Sequence, residues 1–300
     1  MKLNLSDSVK IRNGLSKKQT KAISDLYKEA AKQIRKKRNA LKGQSGASAA
    51  LQMAQLNDLQ KSLEKELRTI QTYLGKSIPE TMTKAAEAVV KDNQAWANSL
   101  GIQAKLAHVP TDAVNSILTG QVYEGNWSLS KSLWKDYANK KGDIAKIIAQ
   151  GLAQNKSVYD IAKDLEQYVD PNAEKPWDWN KVYPGTAKKV DYNAQRLART
   201  MISHAYQQSL VLSCKHNPFV SGFRWDASNS ERTCQLCLDR DGVIFSKDEL
   251  PLDHPNGMCT YEAVIEYSMT EIADRLADWA QGNEDPEIDE YAESLGFKFR

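Results

Sequence analysis

Three of the four cysteines fall in two short stretches, "RTCQLCLDRDGVIF" beginning at Arg232 and "HPNGMC" ending at Cys259. Cys234 and Cys237 are separated by two residues, and a tight turn at that spacing brings two sulfurs onto one point, as tetrahedral Zn(II) requires. His254 and Cys259 follow as a second pair, so Cys234, Cys237, His254 and Cys259 supply enough soft or borderline ligands to close a structural zinc site. The β-type segments around them, "GVIFS" and "CTYEAV", are too short to build a core alone. Metal binding would supply the folding free energy that so small a unit lacks.

Other chemistry is open to the same residues. A redox Cys-x-x-Cys usually starts a helix after a strand, whereas this one follows "WDASNSERT" and leads into "LDRDG", which reads as a turn. Two unrelated buried thiols are a third reading, because cysteine packs as a small hydrophobe. "LDHPNG" beside a Cys-x-x-Cys also suggests a metal-dependent nuclease of the HNH type, but that chemistry needs a second histidine downstream and none follows His254. Cys214 and His216 could substitute as ligands, although the later four already complete a site. Ser132 and Lys135 match an S-x-x-K spacing without the K-T-G or S-D-N that would give it meaning. No phosphate-cradling glycine loop, G-x-S-x-G or H-E-x-x-H is present. No catalytic residues are assigned and no enzymatic activity is expected.

The elements that must position these residues are mostly helical. Ile23, Leu26, Tyr27, Ala30, Ile34 and Leu41 recur at helical spacing, and Leu56, Leu59, Leu63, Leu67, Ile70 and Leu74 form a second stripe after a glycine-containing break at 42–49. Two such stripes predict an antiparallel pair. Pro79 predicts the start of a third helix running to Gly101. Further helices are expected over 111–120 and through 128–169, with Ser, Thr or Asp at their starts and Gly at their stops. Residues 170–191 contain three prolines and no sustained period, and read as a linker ordered by Trp177, Trp179 and Tyr183. A long helix begins at 192, short strands follow Pro218, and a last helix precedes an acidic tail. The expected fold is therefore α+β. Helical regions over 1–169, a linker over 170–191 and a helix-plus-β module over 192–268 precede a C-terminal helix and tail over 269–300.

Charge is unevenly spread. Residues 1–43 hold 13 Lys/Arg against 3 Asp/Glu, whereas residues 270–300 hold 9 acids against 3 bases. The first helix carries Lys28, Lys32, Arg35, Lys36 and Lys37 on its polar face, a candidate contact for double-stranded DNA or another polyanion. The plain alternative is a solvated lysine-rich face. No apolar run reaches the roughly 20 residues that span a bilayer, and the first residues lack the apolar core of a secretory signal. Four cysteines without such a signal suggest a reducing compartment.

Taken together, Arg199 and Thr200, Trp225, Arg232 to Cys237, Asp241 and Gly242, and Pro251 to Cys259 resemble the conserved region of the phage Mu F-like minor head proteins, or phage head morphogenesis proteins. The resemblance covers about residues 190–267. Many members carry cysteine where Gly257 stands here. The resemblance implies a low-copy virion protein of a tailed bacteriophage, present in the host cytoplasm during head assembly. Its implied partners are portal and capsid or scaffold proteins, and packaged DNA.

Overall fold

A computed structural model describes residues 3–43, 48–102, 105–123, 125, 127–173, 190–228 and 233–296. The proposed ordering role of Trp177, Trp179 and Tyr183 lies outside the described residues, as does Arg232. The fold is α+β: helices dominate, and a small three-stranded antiparallel sheet is followed by two C-terminal helices. The chain forms two compact units that interleave in sequence. One comprises residues 1–17, 78–124 and 199–300, the other 18–77 and 125–198. Helices α1 (Ser6–Ala40), α2 (Ala49–Ser99) and the helix Tyr192–Cys214 contribute to both.

The 18–77/125–198 unit is helical. Its part of α1 buries Ile23, Tyr27, Ala30 and Ile34, and its part of α2 buries the leucine stripe from Leu56 to Leu74. The amide of Gln19 donates to Ser77 Oγ (2.8 Å) and Lys37 donates to Asp58 (2.6 Å), so these two segments run antiparallel. Helix α4 (Leu129–Ala153) is capped by Ser128 and α5 (Val158–Val169) by Ser157, as their sequences predict. The expected glycine stops are corrected. Gly142 and Gly151 both lie inside α4, which ends at Ala153, two residues before Asn155, a left-handed residue with φ of 54°. Gly151 is there because α5 crosses it: a Cβ would meet Ile161 Cγ1 at 2.5 Å.

A second correction concerns Pro79. Instead of starting a helix it sits inside α2, which continues for 51 residues. Proline removes one backbone donor, but the apolar stripe stays in phase across it through Leu74, Ile78, Met82, Ala85, Ala86 and Val89, all buried. Packing on both sides outweighs the lost bond.

In the other unit, α3 (Val109–Thr119) stops at Gly120, whose φ of 85° suits a glycine cap. Helix α6 (Tyr192–Cys214) leads into β1 (Gly222–Asp226), α7 (Gln235–Arg240), β2 (Ile244–Ser246) and β3 (Thr260–Val264). The sheet order is β2-β1-β3, with Phe223 opposite Phe245 and Ala263, and Trp225 opposite Tyr261. Period-2 alternation buries Phe223, Trp225, Tyr261 and Ala263, while Arg224 and Ile244 face solvent. Gly222 allows the close approach of β2, since a Cβ there would meet the Phe245 carbonyl at 2.3 Å. Helix α8 (Met269–Ala280) opens on a complete Ser268/Glu271 capping box. The tail expected after it holds a further helix, α9 (Pro286–Ser294), which buries Ile288, Tyr291 and Ala292.

Candidate metal centre

The loop from Pro251 to Cys259, between β2 and β3, is organised around the side chain of Asp253, which is wholly buried. Its carboxylate accepts from the backbone N–H of His254 (2.8 Å) and of Cys259 (3.1 Å), folding the loop back on itself. Asn256 takes a left-handed φ of 73°, and the Gly257 N–H donates to the His254 carbonyl at 2.8 Å. A Cβ at Gly257 would lie 2.1 Å from the Asp253 carboxylate. That gives a physical reason for glycine at this position: the carboxylate fills the room.

Two helices clamp the loop from outside. On α6, Thr200 Oγ1 accepts from the Asn256 N–H (2.8 Å) and Arg199 donates to the Asn256 side chain, so the Arg-Thr pair of the motif holds the loop's tip. One turn on, His204 Nε2 lies 2.8 Å from the Asp253 carbonyl and its Nδ1 2.8 Å from the Tyr123 hydroxyl. A carbonyl can only accept, so Nε2 carries the proton and Nδ1 accepts from the phenol. Burial lowers the pKa of His204, favouring this neutral form. Gln207 donates to the Pro251 carbonyl (2.7 Å), and its amide oxygen accepts from the Asp253 N–H and the Tyr261 hydroxyl. On α1, Arg12 is fully buried and donates to the carbonyls of Cys259 (2.8 Å) and Met258 (3.1 Å) while lying 5.0 Å from the Tyr206 ring.

Into this framework the sequence-predicted donors converge. Cys234 caps the start of α7 and Cys237 lies in its first turn. The ligand atoms of Cys234, Cys237 and His254 lie within 4.8 Å of one another, as do those of Cys237, Asp253 and Cys259. Cys237 is shared by both groups, so Cys234, Cys237, His254 and Cys259 lie close together and could hold a metal ion. Cys234 Sγ is 3.3 Å from His254 Nε2, with Cys234 exposed and Cys237 and Cys259 buried. Burial, reinforced by the sulfurs of Cys259 and Cys234, pushes the Cys237 thiol far above its ordinary range. Burial and then the Asp253 charge raise Cys259. Beneath them Trp225 packs edge-on against Tyr261 (5.1 Å between centroids), with the Arg240 guanidinium 5.0 Å from its ring.

The structure also brings in residues that sequence reasoning passed over. Asp253, Arg12, His204 and Gln207 are far apart in the chain, and only Asp253, next to His254, had a local signal. The two substitute ligands lie elsewhere. Cys214 is buried against the Asn93 side chain (3.1 Å), its thiol pushed up to about 12 by burial, and His216 pairs with Glu290 (2.8 Å). One expectation is corrected: the Cys-x-x-Cys does begin a short helix, so the absence of a helix no longer separates a metal site from a redox pair. What separates them is the presence of His254, Asp253 and Cys259 within ligand reach.

The predicted polyanion face of α1 is largely matched by acids. Lys28 lies 3.5 Å from Asp25, Lys32 3.5 Å from Glu29, Arg35 2.7 Å from Glu166, and Lys37 2.6 Å from Asp58. Lys36 is exposed on the same helix without a described ion pair. Among the described residues no helix is long and apolar enough to cross a membrane. No protein-family profile matches the chain, and neither curated proteins nor solved structures give a significant match.

Proposed function

We propose that this chain is a structural minor head protein of a tailed bacteriophage, and that zinc staples its Cys/His module into a rigid adhesion element near the portal. The observation that carries the reading is that the separated motif parts are hydrogen-bonded to one another within one module. Arg199 and Thr200 hold Asn256, the Gly242 N–H donates to the Trp225 carbonyl (2.9 Å), and Asp241 accepts from the Ala227 N–H (2.8 Å). These residues are engaged in building the module, as an architectural role requires.

The donor set fits zinc. Three thiols and an imidazole match a closed tetrahedral site, and thiolates favour Zn(II) over the harder divalent ions. Two buried sulfurs beside a buried carboxylate would repel once ionised, and a divalent cation offsets that repulsion. Cys234, Cys237, His254 and Cys259 would hold the ion, and Asp253 would shape the loop that presents two of them. The partners under this reading are portal and capsid or scaffold proteins. Direct contact with packaged DNA through α1 is the least supported part, because most of the cations on that face already have acidic neighbours.

The test has two arms. Mass spectrometry of purified tailed particles from the source genome should find the chain at low copy, and disrupting its gene should stop the formation of filled heads. Its absence from heads and assembly intermediates would overturn the virion role. Elemental analysis should give about one zinc per chain; well under about half an equivalent, with all thiols titrating freely, would overturn the staple.

A further inference from the structure

The exposed large apolar residues include one tryptophan with cationic neighbours, Trp134 on α4, which is 56% exposed. A single exposed apolar side chain needs no explanation by itself; what sets this indole apart is the aromatic ring and the cations grouped around it. Tyr137 meets it edge-on, with centroids 6.0 Å apart and planes at 82°. Tyr137 is itself buried, and the Arg68 guanidinium and the Lys141 ammonium stand 5.9 Å and 6.0 Å from its ring. Lys131, Ala138 and Lys141 lie three before, four after and seven after Trp134, so all share its helix face. Lys131, Lys135 and Ala138 are exposed, and Arg68 from α2 is exposed beside them. Acidic neighbours include Asp136, which pairs with the buried Lys140, and Glu64, which lies 3.2 Å from Lys141.

We propose that Trp134, with Lys131, Lys135, Lys141 and Arg68, forms a binding surface for single-stranded nucleic acid. The complementary ligand must present a flat π-face and a negative charge within a few ångströms of each other, repeatedly. A single strand does so at every nucleotide: a base stacks on the indole and the flanking phosphates meet the cations. A duplex keeps its bases stacked internally and can use only the charges. An acidic peptide matches the charges and leaves the ring without a partner. The surface lies wholly within the 18–77/125–198 unit and does not involve the metal centre, so it stands or falls independently of the zinc and virion reading.

Fluorescence anisotropy with a labelled oligothymidine, the matching duplex and polyglutamate tests this at about 50 mM salt. The oligothymidine should bind most tightly. Trp134→Ala should weaken it roughly tenfold, the size expected for loss of one stacked base, and Trp134→Phe should restore part of the loss. Duplex binding should be unchanged by Trp134→Ala, and Lys131→Glu with Lys135→Glu should weaken both nucleic acids. Unaltered helicity and melting of each variant exclude unfolding as the cause. Polyglutamate binding as tightly as oligothymidine and losing as much on Trp134→Ala would overturn the proposal in favour of an acidic protein partner. Equal oligothymidine binding by the wild type and Trp134→Ala, or none by either, would overturn it outright.

Discussion

The metal-centre loop and the helical 18–77/125–198 unit reach order by opposite routes. The helical unit buries a long apolar periodicity, and among its buried charges Lys140 pairs within its own helix with Asp136, its ammonium 5.6 Å from the Tyr27 ring, while Glu166 meets Arg35 and Arg38 of α1. The loop has almost no regular structure and few apolar side chains. It is held by directional bonds from Arg12, Arg199, Thr200, His204 and Gln207, residues drawn from two distant helices. A periodic core tolerates substitution, because many similar contacts share the load. A loop held by a few hydrogen-bonded polar groups does not, because each loss leaves a buried partner unsatisfied.

The largest expected break in that contrast is at the cysteines. Cys237→Ser, or chelation of the proposed zinc, should destabilise the module by on the order of 5 kcal/mol. The quenching environment of buried Trp225 should be lost while far-UV helicity is largely kept. A proportional loss of both signals would mean that the helices depend on the site as strongly as the loop does.

In the helical unit the corresponding test is smaller. Lys140→Met leaves Asp136 without its cation and should cost about 2–3 kcal/mol, whereas Lys140→Met with Asp136→Leu should return close to wild-type stability. Chemical denaturation of both variants checks this. A double variant as unstable as the single one would show that the pair specifies the packing of the unit, and that its core is less tolerant than the comparison holds.

The smallest effect is expected at the α8–α9 junction. Arg275 donates to Asp285 through Nε (2.6 Å) and Nη2 (2.9 Å), and this bond, its largest cause, holds the Asp285 pKa below the ordinary carboxylate value. A carboxylate depressed in the folded state stabilises above its unfolded pKa, and that stability is lost as pH falls through the folded value. Asp285→Asn keeps the cap on α9 and should cost about 1 kcal/mol at neutral pH. The difference from wild type should vanish in acid below the ordinary carboxylate range. A difference that persists there would assign the effect to the cap rather than to the ion pair.

Much of the helical part was legible in the residues themselves. The stripes of α1 and α2, the Ser128 and Ser157 caps and the Gly120 stop all follow from local rules, because helix periodicity and capping act over only a few residues. Local rules failed where a distant segment overrode them. Pro79 stays helical because its neighbours are buried on both sides, and Gly151 stays helical because α5 needs the space. The acidic segment after Gly282 reads as a solvated tail until Ile288 and Tyr291 find a surface to bury against.

The sequence by itself determined the donor set: Cys234, Cys237, His254 and Cys259, with spacings that let each pair close on a point. Only the tertiary structure decided that the two pairs meet, and that Asp253 fills the room beside Gly257. It also decided that Arg12, some 247 residues away along the chain, secures the carbonyls of the closing turn. The physical reason is range. A turn or a helix is fixed by neighbours a few positions apart, whereas a buried guanidinium finds its carbonyls only once the chain between them has folded.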